Sequence, residues 1–220
     1  MQALSNDEAS LEALVLFHNA ILRLNGPKPG DLDRLERFYW DEFLPKVQFY
    51  RRGTSDLFQE YWPGNSTAAR LQALYLARNP HPIGKKDAQL AAPGDTSGYS
   101  DVHRRYHPTF RNYLQAFGFY DLFLVEVNQG VIVYTVFKEI DLGRSLRNPP
   151  YNNTGIAAAF ERGAQLMPGE PPVIQEYTPY VPSFGAPASF MAAPIFEAGR
   201  VIGVLIGQVS IDEVNRVMTG

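Results

Sequence analysis

Near residue 120 the spacing of apolar side chains changes from three and four to two, and this change limits what the chain can fold into more than any other feature. Before it the pattern is helical. In the first segment Leu11, Leu14, Val15, Ile21 and Leu22 share a stripe, Ser5 and Glu8 have capping-box spacing, and Gly26-Pro27 ends the helix. Asp31 is placed to cap a second helix through Leu35, Phe38, Tyr39 and Phe43. Pro45 must kink or break it, because proline lacks the amide donor and clashes with the preceding turn. Asn65 or Ser66 opens a third through Leu71, Leu74 and Tyr75, closed by Asn79-Pro80-His81-Pro82. Residues 82–97, rich in glycine and small polar side chains, form a loop longer than compact domains usually carry, either a functional flap or a connector. Ser100 or Asp101 starts a fourth helix, with Phe110, Tyr113, Leu114 and Phe117 on one face and Gly118 where a left-handed cap is wanted.

After Tyr120 the β-branched content rises. Residues 120–127 and 131–139 flank Asn128-Gln129-Gly130, a short connection suited to a hairpin. Residues 154–166 read as one helix stopped by Pro168 to Pro172, and strands follow near 173–177, 189–196 and 201–210. Glu197-Ala198-Gly199-Arg200 joins the last two tightly, and Ile211 starts a closing helix. A hairpin, a crossing helix and a three-strand meander give an α+β fold: a PAS-like five-stranded antiparallel sheet with a long N-terminal helical extension. The division expected is a helical part, 1–118, and a sheet module, 119–220.

Composition narrows the function. The 220 residues carry a formal net charge of -3, with 45% hydrophobic and 20% charged side chains, which fits neither a disordered chain nor a polybasic nucleic-acid binder. The absence of cysteine removes disulfides, thiolate metal sites and a cysteine nucleophile. No stretch reaches the roughly 18 to 20 apolar residues of a membrane-spanning helix, and the first residues lack an export-signal pattern.

Among chemical motifs, His103 and His107 lie four apart on a helix and form the best metal pair, but Arg104 stands where a zinc protease needs glutamate, and satisfied helix histidines are the competing reading. G-x-S-x-G, phosphate-loop and dinucleotide fingerprints are absent; Gly143-Arg144-Ser145 starts the first but meets Arg147. Glu126, Glu139, Asp141 and Glu176 offer a formal acid and base pair, against the plainer reading of solvated strand ends. The chain thus reads as a non-enzyme that needs no cofactor and holds no metal.

The aromatic residues carry more information. Tyr134, Tyr151, Tyr177, Tyr180, Phe184 and Phe190 gather in and around proline-rich loops of the sheet half, each offering an apolar body and, for tyrosine, a hydroxyl to fix a ligand. Core packing is the alternative. Lys138, Arg144 and Arg147 follow an apolar strand and offer donors to an anionic head group, unless they belong to a charge-compensated loop.

Three runs carry a family likeness: Tyr106-His107-Pro108-Thr109-Phe110-Arg111, residues 117–124, and Val133-Tyr134-Thr135-Val136-Phe137-Lys138-Glu139 with Asp141 and Gly143. With Pro179-Tyr180-Val181-Pro182-Ser183, Pro187-Ala188-Ser189-Phe190, Ala192-Ala193-Pro194-Ile195 and Gly203-Val204-Leu205 before Ile211-Asp212, the sequence resembles the Cache-type sensor domains of bacterial receptors. The thinner upstream likeness rests on Ala68-Ala69-Arg70-Leu71-Gln72 and Asn79-Pro80. The resemblance implies a domain outside the cytoplasmic membrane, on the periplasmic or extracellular side, that binds a small metabolite. It would signal to a histidine kinase, nucleotide cyclase, phosphatase or chemotaxis module. It also implies membrane helices before residue 1 and after Met218, and a single sensory module whose membrane-distal partner is replaced by helices. No tryptophan follows Arg144, so the amino-acid-binding pattern of the two-module group is not legible.

The pocket expected from these readings lies between the sheet and residues 138–153, with Tyr134, Lys138, Arg144, Tyr151, Tyr177, Tyr180, Ser183 and Phe190 as ligand-binding candidates. The partners expected are a small molecule and a second copy joined through the terminal helices, with no nucleic acid. The competing reading is a ligand-free structural or dimerisation module, which exposed apolar residues along Leu11, Leu14, Val15 and Ile21 would favour.

Overall fold

The computed structural model describes residues 1–47 and 54–210. The closing helix expected from Ile211, the Ile211-Asp212 motif and Met218 lie outside the described residues.

The helical part contains α1 (Gln2–Ser5), α2 (Glu8–Leu22), α3 (Asp31–Arg37), α4 (Thr54–Tyr61), α5 (Thr67–Gln72) and α6 (Gly98–Phe117). The cap of α2 is Asp7, whose side chain accepts from the Ala9 amide, not Ser5, which belongs to α1. Asp31 is the first residue of α3 rather than its cap. Beyond α3 the chain widens into a π-helical stretch, Phe38–Phe43, and then tightens into a 3-10 turn around Pro45, which is how the break demanded by proline is met. Ser66 caps α5, which continues as a second π-helical stretch, Ala73–Ala77. The loop at 82–97, expected as a flap or a mobile connector, is tied down instead. Lys86 is buried and donates to Leu76 O (2.9 Å) and His81 O (3.0 Å), and Asn79 Nδ2 donates to Lys86 O (2.9 Å). Ser97, rather than Ser100 or Asp101, caps α6, and Gly118 ends it at φ 70°, the left-handed conformation glycine adopts without strain.

The sheet contains β1 (Asp121–Glu126), β2 (Ile132–Thr135), β3 (Val173–Tyr180), β4 (Ala186–Glu197) and β5 (Arg200–Ser210), all antiparallel in the order β2-β1-β5-β4-β3. Between β2 and β3 runs α7 (Gly155–Gly163), capped by Thr154. This is the predicted α+β architecture, with a PAS-like strand order.

Each face of the sheet carries a core. Leu122, Leu124, Tyr134, Ile195 and Leu205 pack with Leu14 and Phe17 of α2 and Tyr99, Tyr106 and Phe110 of α6. Phe123, Phe190, Ala192 and Ile206 pack on the other side with Ile156 and Phe160 of α7, Tyr151, Tyr180, and Leu35, Phe38, Tyr39 and Phe43. Both cores therefore join residues from before and after position 118. Gly203 lets α2 approach β5: a Cβ there would stand 2.4 Å from Leu14 Cδ2 and 2.6 Å from Val125 O. The apolar stripe of α2 is turned toward the sheet, with Leu14 buried and Leu11 and Ile21 packed against the same core. Among the described residues no helix is long and apolar enough to cross a membrane.

Candidate ligand-binding site

The site is built where β2 ends and the chain doubles back. Asp121, at the start of β1, accepts the amides of Leu122 (2.6 Å), Val136 (2.9 Å) and Phe137 (2.9 Å) and the hydroxyl of Thr135 (2.7 Å). Those bonds stop β2 and turn the chain, with Lys138 at φ 68°, a conformation a non-glycine side chain adopts at a cost of about 1 to 3 kcal/mol. The returning chain is pinned to β2, where Gly143 N donates to Ile132 O (3.0 Å) and Ile132 N donates to Arg144 O (2.9 Å). It is also pinned to α5, where Gln72 Nε2 donates to Ile140 O (2.7 Å) and Leu142 O (3.1 Å).

This fold-back carries Glu139 and Asp141 into the interior, not onto solvated strand ends. Glu139 accepts the hydroxyls of Tyr120 (2.8 Å) and Ser183 (2.7 Å), and Ser183 Oγ accepts from Gln208 Nε2 (3.0 Å). Asp141 Oδ2 accepts the Tyr180 hydroxyl (2.5 Å), whereas its Oδ1 accepts nothing from the described residues. Burial raises Asp141 to about 7, and Asp121 to about 6 against the hydrogen bonds from Thr135 and the amides. Glu139 is pushed well above the carboxylate range by burial and by the Asp141 charge. Burial lowers Lys138 to about 7, opposed by Asp121. Burial thus disfavours the charged form of all four groups. An ordinary exposed cluster would be fully ionised near neutral pH.

The candidates do not converge on one cavity. Tyr151, Tyr180, Ser183 and Phe190 share the face of Asp141: the Tyr151 hydroxyl donates to Ile140 O (3.1 Å), and Tyr180 and Phe190 meet edge to face at 5.2 Å. Tyr134 lies on the opposite face, its hydroxyl 2.6 Å from His107 Nδ1 and its ring 4.7 Å from that of Phe17. Lys138 curls back to donate to the carbonyls of Thr135 and Val136 (3.0 Å to the latter), with its Nζ 4.7 Å from the Tyr134 ring centroid. Arg144 is half-buried, donates to Tyr61 O (3.3 Å) and stacks over Tyr151 (5.5 Å) on an outer depression. Tyr177 is 40% exposed on β3, an edge strand. Arg147 pairs with Glu161 (2.8 Å) at the surface.

Beside Glu139 the cavity measures about 20 Å³, walled by Phe38, Phe43, Lys138, Ile140 and Phe184, room for about one water molecule. His103 and His107 stack at 4.3 Å and are buried; His107 Nε2 meets Asp87 O (2.6 Å) and His103 Nδ1 meets Leu90 O (2.7 Å). No group of three ligating side chains stands ready for a metal among the described residues. Sequence reasoning missed Tyr120, Asp121 and Gln208. Asp121, Gln208 and Phe190 are neighbours across β1, β5 and β4, a row that strand pairing makes visible and local pattern does not.

The strand order, the crossing helix and the helical cover define the class as a PAS-like α+β fold. Solved structures similar to this chain include the ligand-binding domain of the Pseudomonas aeruginosa PAO1 amino acid chemoreceptor PctC in complex with GABA. It is 15% identical, with 60% of this chain and 55% of that one covered and a TM-score of 0.35. The sensor domain of the Vibrio cholerae histidine kinase DctB is 12% identical, with 84% of this chain and 56% of that one covered and a TM-score of 0.39. The chain thus spans little more than half the length of each of these two solved structures. No family model and no curated protein matches.

Proposed function

We propose that this chain is the extracytoplasmic ligand-sensing domain of a bacterial membrane signal-transduction receptor, of histidine kinase, nucleotide cyclase or chemoreceptor type. It takes a small metabolite between the sheet and residues 138–153 and catalyses no reaction. Residues 1–118 serve as a helical extension and 119–220 as the sensory module, with the terminal helices passing the signal across a homodimer and membrane segments flanking the domain. The observation that carries this reading is Asp141: wholly buried beside Glu139, with one oxygen held by Tyr180 and the other accepting nothing from the described residues. A half-satisfied carboxyl in a core costs stability, and ionisable groups with displaced pKa values concentrate at binding sites. A ligand bearing a hydroxyl, amide or amine donor would complete Asp141. The cavity of about 20 Å³ beside Glu139 is not lined by Asp141, so the ligand would select an arrangement in which Phe38, Phe43 and Phe184 have moved apart and the space extends to Asp141.

Thermal unfolding against a panel of organic acids, amines, amino acids and nucleobases tests this. A ligand at a hundred times its dissociation constant adds about 2.7 kcal/mol, worth several degrees. The expected result is a dose-dependent shift with one chemical class that Asp141→Asn abolishes. A flat panel, or a shift unchanged in that variant, overturns it.

The close packing of Tyr151, Tyr180 and Phe190 favours a second reading, a ligand-free dimerisation module. It predicts a flat panel and a dimer by light scattering. Its interface would not be the Leu14 stripe, which is spent on the sheet.

A further inference from the structure

A cleft of about 550 Å³ opens in the helical layer between α2, the loop after it and the start of α6, far larger than the cavity beside Glu139. Arg23, Lys28 and Arg70 line it, with Asn19, Asn25 and the carboxylate of Asp95. Arg70 is already engaged. It donates to Asp31 on one side and to Asp95 (2.9 Å) on the other, and Arg78 donates to the second oxygen of Asp31. Asp95 also accepts the hydroxyls of Ser97 and Ser100 (2.8 Å to the latter). Burial pushes both carboxyls up. The Lys28 amide and Arg70 outweigh it at Asp31, and the Ser97 and Ser100 hydroxyls with Arg70 outweigh it at Asp95, so both sit below the ordinary carboxylate value and stay charged.

Arg70, Arg78, Asp31 and Asp95 therefore balance one another, and the charge of the cleft is set by Arg23 and Lys28. Both are exposed, and neither has a carboxylate partner among the described residues. Two unopposed cations on a cleft within the ~300–1,000 Å³ range of metabolite pockets favour a multiply charged anion over a neutral or cationic molecule. Charge-assisted hydrogen bonds to carboxylate or phosphate oxygens are about twice as strong as neutral ones.

We propose that this cleft binds a small organic polyanion, with Arg23 and Lys28 holding its charged groups and Asn19 and Asn25 meeting its remaining oxygens. The site is separate from the one at Asp141 but mechanically joined to it. The loop that carries Lys28 is tied to Asp31 through the Lys28 amide (2.8 Å), Arg70 lies on α5, and Gln72, two residues on, grips the carbonyls of Ile140 and Leu142.

Calorimetric titration of the whole chain with citrate, pyrophosphate and, as a singly charged control, acetate tests the proposal at low ionic strength. Saturable one-to-one binding of citrate or pyrophosphate, but not acetate, is expected, weakening as salt rises. Citrate alone would assign a polycarboxylate, and pyrophosphate alone a phosphate-bearing ligand. The double variant Arg23→Ala/Lys28→Ala changes exposed positions only, so it folds, and it should bind at least about tenfold more weakly. No saturation by either polyanion at about 10 mM, or equal affinity in the double variant, overturns it.

Discussion

The two faces of the sheet both bury ionisable side chains, yet they meet the difficulty in opposite ways. Toward α2 and α6, His103, His107, Tyr75, Tyr99 and Tyr134 form a packed aromatic layer whose members are neutral once buried. Burial lowers His107 to about 3 and keeps the tyrosines protonated, and the one cation described at this layer, Lys138, lies over the Tyr134 ring and donates to backbone carbonyls. Toward α7 and residues 138–153 stand Asp121, Glu139 and Asp141, whose charges disfavour one another as well as being desolvated. The first face is a core that happens to contain polar atoms. The second keeps, beside the turn-holding Asp121, an Asp141 that a purely structural core would replace with an apolar group of the same volume at little loss or some gain.

The largest expected effects leave that contrast untouched and set its scale. Phe17 stacks on Tyr134 and tilts against Tyr99 at 5.1 Å, and Phe190 meets Tyr180 on the other side. Both are fully buried. Phe17→Ala and Phe190→Ala should each cost about 3–5 kcal/mol in urea unfolding, because truncating a packed ring loses its transfer energy and leaves a cavity. A markedly cheaper Phe190→Ala would mean that this side can collapse or open.

The next pair separates a structural acid from a binding acid on one face. Asp121→Ala removes the acceptor of three amides and a hydroxyl inside the turn, and should destabilise the chain by about 2–3 kcal/mol. At pH 4, where the buried carboxyl is protonated, Asp141→Asn keeps an acceptor for Tyr180 and loses only an oxygen that accepts nothing from the described residues, so it should stay within about 1 kcal/mol of the parent. If the Asp141 variant were the costlier of the two, its carboxylate would be a structural element and the sensor reading would lose its main support.

Titration sharpens the contrast further, since the two faces respond to pH with opposite sign. Asp141, near 4 in an unfolded chain and about 7 here, makes the native state bind more protons between those values. Stability from that group is greatest in acid and falls as pH rises toward 7; Asp121 acts alike up to about 6. His107, about 6.5 unfolded and about 3 here, makes the unfolded chain bind more protons in that window, so its contribution falls as pH drops below 6.5. Lys138 contributes a rise between about 7 and 10.5. Thermal unfolding from pH 4 to 7 should therefore steepen upward with pH in Asp141→Asn and flatten or turn downward in His107→Phe. Identical slopes in both variants would show that neither group titrates as its surroundings dictate.

Much of this fold is legible in the sequence, because its signals are local. The change of period at residue 120, the Ser66 and Thr154 caps and the Gly118 stop each depend on neighbours a few residues away. The two π-helical stretches and α4 are not legible. The first two arise where an α-helix takes up an extra residue to fit the core, and the short Thr54–Tyr61 segment is mostly polar. The site was readable by residue type and not by place. A register shift between Leu124 and Val125 helps decide that Tyr134 faces α6 while Ile132 faces α7, and no spacing rule reveals it. Glu139 and Asp141 look like strand-end charges until the chain folds back under Gln72, Tyr180 and Ser183, contacts 39 to 70 positions apart in sequence.

The smallest expected effect concerns a candidate that reaches neither core. Tyr177 sits on β3 within an irregular stretch of its pairing with β4, 40% exposed, while Tyr180, three residues on, is buried against Asp141. Tyr177→Ala should change stability by no more than about 0.5 kcal/mol, as is usual for surface positions away from caps, turns and buried polar groups. It should also leave any ligand-induced rise in melting temperature intact, whereas Tyr180→Phe should diminish that rise by freeing the second oxygen of Asp141. A ligand shift that depends on Tyr177 and not on Tyr180 would move the binding site from beneath residues 138–153 to the outer edge of the sheet, and the two faces would then differ only in packing.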